Sequence, residues 1–170
     1  MDIMSKDFKR ELDEYINANF TEALDEQIDY SVLEGLTKDA GKSFGKEKAL
    51  TLDEIVDEAG ESFHDKLFLY IDMSGMTDVE VYKRAGMDRK LFSKIRSNPA
   101  YHPKKQTVLA LAVALKLNLT DTIDLLSRAE YALSPSNKGD LIVKYFIERE
   151  VYDIQAINFA LYEYGQSILC

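Results

Sequence analysis

The chain has 170 residues, of which 46% are hydrophobic, and it contains three prolines, eight glycines and one cysteine. This composition is typical of a folded globular protein and argues against disorder, and a single cysteine excludes an internal disulfide and a thiolate metal cluster. The net charge of −9 argues at first against a nucleic-acid partner, because lysine and arginine supply most of the affinity for phosphate.

The apolar runs indicate where the protein is expected to work. The N-terminal sequence MDIMSKDFKRELDEY mixes charged and apolar residues and lacks the apolar run of a secretory signal. The longest apolar run, residues 108–115, is much shorter than the roughly 20 residues needed to cross a bilayer. We therefore expect a cytoplasmic protein without a membrane span.

The first predicted element is an amphipathic helix with Ser5 as its N-cap. Its apolar residues recur at three- and four-residue spacing, so they require a partner surface. These residues are Phe8, Leu12, Tyr15, Ile16, Phe20, Ala23, Leu24 and Ile28. Three glycines and four lysines in residues 35–48 predict a linker, and residues 1–48 are interpreted as an acidic helical arm.

Residues 49–134 are predicted to form a helical domain with an acidic leading helix. Thr51 and Glu54 fit a capping box at the start of that helix. Further short helices are predicted from residue 61 onward, with Thr77 and Asp88 as N-caps. No alternating strand pattern occurs in the sequence, which predicts an all-α fold.

A strongly apolar stretch, residues 107–117, predicts a helix buried in the middle of the bundle. Asn118 is expected to end it in a left-handed conformation. Thr120 or Asp121 is expected to cap the next helix.

Residues 135–170 are predicted to form a C-terminal helical hairpin that packs on the domain or dimerises. The sequence SPSN at residues 134–137 interrupts the preceding helix, and Asp153 is predicted to cap the last helix. The two helices carry large apolar faces, so we expect them to form the contact of a homodimer.

The sign of the charge reverses in one stretch of the chain. Residues 1–62 carry seventeen acidic and seven basic side chains, a net charge of −10. Residues 83–105 carry eight basic side chains against Asp88 alone, a net charge of +7. We call these eight cations the basic island: Lys83, Arg84, Arg89, Lys90, Lys94, Arg96, Lys104 and Lys105. Such asymmetry is typical of a local polyanion site, with a solvated helix face and an acidic protein partner as alternatives.

The sequence TDVEVYKRAGMDRKLFSKIRSN at residues 77–98 resembles the helix-turn-helix of the lambda-repressor-like family, of the Cro and xenobiotic-response-element type. The stretch PAYHPKKQTVLALAVALKLNLTDTIDLL resembles the fourth and fifth helices of that family. Gly86 suits the positive φ of the turn between the two helices. The positions that the helix pair must bury are Val81, Ala85, Met87, Phe92 and Ile95.

The resemblance implies a double-stranded DNA partner and a set of contact residues. The positions that match the groove-facing ones of the family are Asp88, Arg89, Lys90, Ser93 and Lys94. The cations expected on phosphates are Lys83, Arg84, Arg96, Lys104 and Lys105. Tyr82 departs from the family's small residue at the helix crossing, and Arg96 and Asn98 depart from its acidic residue and glycine, although asparagine can adopt a left-handed cap.

A second resemblance leaves another function open. Residues 61–166 are similar to a C-terminal accessory module of bacterial signalling proteins of unknown role. This resemblance implies a protein-interaction adaptor or inhibitor, for example in a phage or defence system, because one fold serves several functions. The acidic arm would then mimic the charge of a nucleic acid or bind a basic partner. A separate prediction is that the arm folds back through its apolar face and masks the basic island.

Chemical sites of other kinds have little support in the sequence. Gly41, Lys42 and Ser43 lack the upstream glycine and the preceding strand of a phosphate-binding loop. His64 and His102 are the only histidines and lack the spacing of a zinc site. The carboxylates have no serine or histidine partner nearby, so we predict a non-enzymatic protein without metal or cofactor.

Overall fold

A computed structural model describes residues 6–21 and 61–170, and within these ranges the protein is all-helical, as predicted. The helices are α1 (Lys6–Asn19), α2 (Phe63–Ser74), α3 (Asp78–Arg84), α4 (Arg89–Ser97), α5 (Lys105–Ala114), α6 (Leu119–Arg128), α7 (Lys138–Glu148) and α8 (Ile154–Glu163). None of these helices combines the length and the apolar character that a membrane span requires.

Several sequence predictions lie outside the described residues. They concern the cap at Ser5, the continuation of the first helix beyond residue 21, the linker and the capping box at Thr51 and Glu54. The described ranges share one hydrophobic core, to which α1, the central helices and the two C-terminal helices all contribute.

The predicted helix caps at the start of α3, α4 and α8 are confirmed. Thr77 and Glu80 form a reciprocal capping box, in which each side chain accepts the backbone N–H of the other residue. The Asp88 carboxylate accepts the N–H of Lys90 at 2.6 Å, and the Asp153 carboxylate accepts two N–H groups of α8. Local polar chemistry therefore determines where these helices begin.

Helix α5 lies in the middle of the bundle, as its composition predicted, and every residue from Thr107 to its end is buried. The prediction for its C-terminal end was wrong. Lys116, with φ 54°, takes the left-handed conformation, and the N–H of Leu117 bonds the carbonyl of Ala112 at 3.0 Å. This turn directs Leu117 into the core.

The start of α6 also differs from the prediction, because neither Thr120 nor Asp121 is its N-cap. Asn118 is extended there, and its side-chain oxygen accepts the N–H of Asp121 at 2.9 Å. An asparagine in this conformation satisfies one of the free donors at a helix N-terminus.

Helix α1 packs on α7 through its apolar face, in which Phe8, Leu12 and Ile16 are buried. The Phe8 ring lies 5.9 Å from the ring of Tyr145 and 5.7 Å from that of Phe146. These aromatic contacts place α1 in the core. The apolar face that was expected to secure a masking contact on the basic island is therefore packed against α7.

Polar contacts beside this apolar face also hold α1 against the C-terminal region. The Tyr15 hydroxyl donates to Glu148 at 2.7 Å, and an ion pair of 2.6 Å joins Arg149 to Glu11. Both contacts join α1 to the C-terminal end of α7, so this end of the helix pair has apolar and polar support.

The apolar faces of α7 and α8 are buried within the chain, which corrects the reason given for expecting dimerisation through them. The buried side chains are Leu141, Ile142, Val143, Tyr145, Phe146, Ile147, Ile154, Ala156, Ile157, Ala160 and Leu161. A smaller apolar surface stays exposed on α8 and the following tail. We call it the α8 patch, and it comprises Phe159, Tyr162 and Ile168.

Candidate nucleic-acid interface

Helices α3 and α4 are joined by a short turn, and the residues that the pair buries are those predicted. Gly86 has φ +67° and donates its N–H to the carbonyl of Lys83 at 3.2 Å. This conformation is accessible to glycine at little cost, which explains the residue type at the turn. The side chains buried beneath the pair are Val81, Ala85, Met87, Phe92 and Ile95.

Tyr82, the bulky residue at the crossing of the two helices, is half-buried and packs on α4. Its ring lies 6.0 Å from that of Phe92, which in turn meets the ring of Phe68 on α2 at 6.4 Å. The tyrosine thus extends a stack of three aromatic rings across α2, α3 and α4.

The outward face of α4 presents four exposed polar side chains together. Arg89 and Ser93 are four residues apart, as are Lys90 and Lys94, so each pair lies along the same side of the helix. Asp88 is exposed just before them and is engaged as the N-cap. Arg89 and Lys90 have no ion-pair partner within the described ranges, so their charges are available to a ligand.

The loop after α4 adds an aromatic ring to this face. The Lys94 ammonium lies 4.4 Å from the centre of the Tyr101 ring. The backbone N–H of Tyr101 bonds the carbonyl of Asn98 at 2.9 Å, which fixes the loop. Tyr101 was not among the predicted site residues. The only sequence signal that could have indicated it is its position between the basic residues of α4 and Lys104.

Asn98 does not adopt the left-handed cap that its type permits. It is extended, with φ −126°, and its side-chain oxygen accepts the N–H of Ala100 at 3.1 Å. The asparagine side chain satisfies the backbone of the next turn instead, which is a common use of this residue.

Lys83 and Arg84 in the last turn of α3, and Lys104 just before α5, are all exposed. Arg84 lies beside Met76 and Glu80. Hydrogen bonds from the backbone and hydroxyl of Thr77, together with the charge of Arg84, hold the pKa of Glu80 below its ordinary value. Lys83 and Lys104 form no ion pair within the part of the chain that the structure describes.

Arg96, which was expected on phosphate, already has partners within the chain, although its side chain is 47% exposed. Its guanidinium is 3.3 Å from the carboxylate of Asp78 and lies over the ring of Phe68, 4.3 Å from the ring centre. The side chain turns toward α2 and α3 because it finds an opposite charge and an aromatic face there.

Lys105 is likewise not free to contact phosphate. Its ammonium lies 2.5 Å from Oδ2 of Asp140, whose side chain is only 7% exposed. The same oxygen accepts the N–H of Ser134 at 2.8 Å. A buried carboxylate requires a cation, so this lysine is drawn inward.

The two histidines serve packing. Nε2 of His64 hydrogen-bonds the backbone carbonyl of Arg96 at 3.0 Å, and the His102 ring packs on Tyr131 with a 5.2 Å centroid separation. Within residues 6–21 and 61–170, no three side chains capable of binding a metal ion cluster together.

The chain was compared with known protein families, with curated proteins and with solved structures. None of them matches it.

Proposed function

We propose that this protein is a non-enzymatic regulator that binds double-stranded DNA with α4 in the major groove. The observation that carries the proposal is the common outward orientation of Arg89, Lys90, Ser93 and Lys94 on α4. Arginine and lysine donate to guanine in the major groove, and serine donates to several bases. Phe92 and Ile95 are buried on the opposite face and hold the helix in place.

The exposed cations around α4 have a separate role in this proposal. Lys83, Arg84 and Lys104 contact phosphates and set the register of the protein on the duplex. Arg96 and Lys105 are left out, because each is paired with a carboxylate of the same chain. The interface is thus smaller than the basic island.

A dimer completes the proposal, because one recognition helix reads few bases. The α8 patch supports this step, since Phe159, Tyr162 and Ile168 are exposed close together in sequence and along α8 and its tail. Exposed apolar side chains of this kind favour contact with another protein surface. We assign them to the contact with a second copy of the chain.

A protein partner is the second candidate function, and a cleft beside α4 favours it. Met87, Leu91 and Tyr101 line this cleft together with Lys104. An apolar floor next to a cation suits an acidic amphipathic peptide. The basic surface would then serve to attract that peptide.

Selection from a random duplex library tests the first candidate against the second. The intact chain should enrich one sequence and bind it far more tightly than a scrambled duplex of equal length. Replacing Lys83 by Gln should reduce the slope of log affinity against log salt by about 0.9, the value for one phosphate contact. Equal binding to every duplex would leave charge attraction alone, and absence of binding would favour the peptide.

A further inference from the structure

We propose that Arg96 is a positioning residue, which orients α4 for DNA through Asp78 and Phe68 without touching the DNA. We call these three residues the Arg96 clamp. The inference rests on the proposed function, because it explains how the reading helix is held at the angle that base contacts require.

The clamp joins three helices at one guanidinium group. Arg96 belongs to the last turn of α4, Asp78 is the first residue of α3, and Phe68 lies in the middle of α2. The ion-pair distance is 3.3 Å and the distance from the guanidinium carbon to the ring centre is 4.3 Å. A planar guanidinium can pair with a carboxylate and stack on a ring at once, which an ammonium cannot do equally well.

Helix ends reinforce both charges of the clamp. A cation in the last turn of α4 faces the negative end of that helix dipole, and Asp78 in the first turn of α3 faces a positive end. The backbone carbonyl of Arg96 also accepts a hydrogen bond from His64 of α2 at 3.0 Å. Side chain and backbone of one residue thus hold the C-terminal end of α4 against α2.

The opposite end of α4 carries the proposed reading residues. Arg89 precedes Arg96 by seven residues, which corresponds to about 10 Å along a helix that rises 1.5 Å per residue. Rotation of α4 about a loosened C-terminal end would therefore displace Arg89 and Lys90. Base contacts require placement within about 0.5 Å, so the contacts with bases are lost before those with phosphates.

Asp78→Asn distinguishes positioning from phosphate binding by the sign of its effect. If Arg96 were a phosphate contact restrained by Asp78, loss of this carboxylate would release the arginine and strengthen binding to any duplex. If Arg96 positions α4, Asp78→Asn binds the selected duplex about tenfold more weakly, which is the effect of one lost base contact. This weakening would occur even though the variant has one negative charge fewer. Asp72→Asn is the matched control, because Asp72 is exposed on α2 and has no ion pair within the described ranges.

Arg96→Lys and Arg96→Gln complete the test with the same selected and scrambled duplexes. Arg96→Lys keeps the positive charge but loses the planar guanidinium that stacks on Phe68. We therefore expect weaker binding to the selected duplex and an unchanged salt slope. The slope should also stay unchanged in Arg96→Gln. Stronger binding by Asp78→Asn, or a slope reduced by about one in Arg96→Gln, would overturn the inference.

Thermal unfolding separates failure of the clamp from failure of the proposed function. If the clamp exists, the double variant of Asp78→Asn and Arg96→Gln should lower the melting temperature by less than the sum of the decreases in the two single variants. The reason is that both substitutions remove the same ion pair. Additive losses would overturn the clamp whether or not DNA binds. If the unchanged protein bound neither duplex, the proposed function would fail, and the positioning role with it.

Discussion

The ammonium nitrogen of Lys105 lies 2.5 Å from Oδ2 of Asp140, which links the first turn of α5 to the first turn of α7. The exposed fractions of the two side chains are 22% and 7%, so the pair is largely removed from water. A charge pair in such a place costs desolvation, and loss of one member leaves the other uncompensated. The adjacent Lys104 is exposed, which offers a direct comparison of two neighbouring lysines.

Lys105→Met should lower the free energy of unfolding by about 2 kcal/mol, less than for a fully buried pair because Lys105 keeps some contact with water. It should leave the salt dependence of DNA binding unchanged. Urea denaturation measures the first effect, with Lys104→Met as the control for loss of a lysine. Equal stability of the two variants would show that the pair contributes nothing to folding.

Phe92→Ala should lower the free energy of unfolding by about 3 kcal/mol, because it opens a cavity beside the rings of Tyr82 and Phe68. Leu91→Ala, at a half-buried position beside it, should cost less. Denaturant titration of both variants provides the comparison. A loss below about 0.5 kcal/mol for Phe92→Ala would contradict its assignment as the anchor of α4.

Arg89→Ala and Lys104→Ala should weaken DNA binding in different ways. The arginine variant should lose discrimination at one base position, since Arg89 is proposed to read a base. The lysine variant should weaken binding to all sequences alike and reduce the salt slope by about one. Titration of duplexes with single base changes, at two salt concentrations, measures both effects. Identical profiles for the two variants would remove the proposed distinction between reading and phosphate contacts.

Tyr162→Lys should convert the proposed dimer into a monomer. Tyr162 is 73% exposed, so the substitution places a charge in the α8 patch without disturbing the core. Met73→Lys is the control, because Met73 is 74% exposed on α2, outside that patch. Sedimentation velocity gives the oligomeric state of each variant. A monomeric unchanged chain, or a dimer that persists in Tyr162→Lys, would refute this contact.

Tyr15→Phe should make the stability of the protein less sensitive to alkaline pH. Burial and the hydrogen bond to Glu148 raise the pKa of Tyr15 above its ordinary value of 10. The contribution of this tyrosine to stability is therefore complete below pH 10 and disappears as the pH rises through its higher value in the folded protein. Denaturation midpoints measured from neutral to alkaline pH test this, with the exposed Tyr162→Phe as control. Parallel pH profiles for the two variants would contradict the role of Tyr15.

Much of the α3–α4 region was predictable because its determinants are local. Thr77 and Asp88 cap helices through N–H groups two or three residues away. The glycine in the turn is required by the positive φ of its own backbone. Phe92 and Ile95 follow the period of a helix with one buried face. Interactions over so few residues can be inferred from the order of residues alone.

The state of the individual charges depended on contacts that the order of residues does not reveal. Arg96 and Lys105 belong to the same basic run as Arg89 and Lys90, yet each is paired with a carboxylate from another helix. Similarly, the apolar faces of α7 and α8 favoured a dimer as far as the sequence showed. In the structure, α1 packs on α7 and α5 packs on α8, so these faces are buried within the chain. The sequence by itself determined the helices, the N-caps of α3, α4 and α8 and the location of the positive charge. Only the tertiary structure decided which cations are paired with a carboxylate of the same chain, because partners distant in sequence compete with the ligand for each charge.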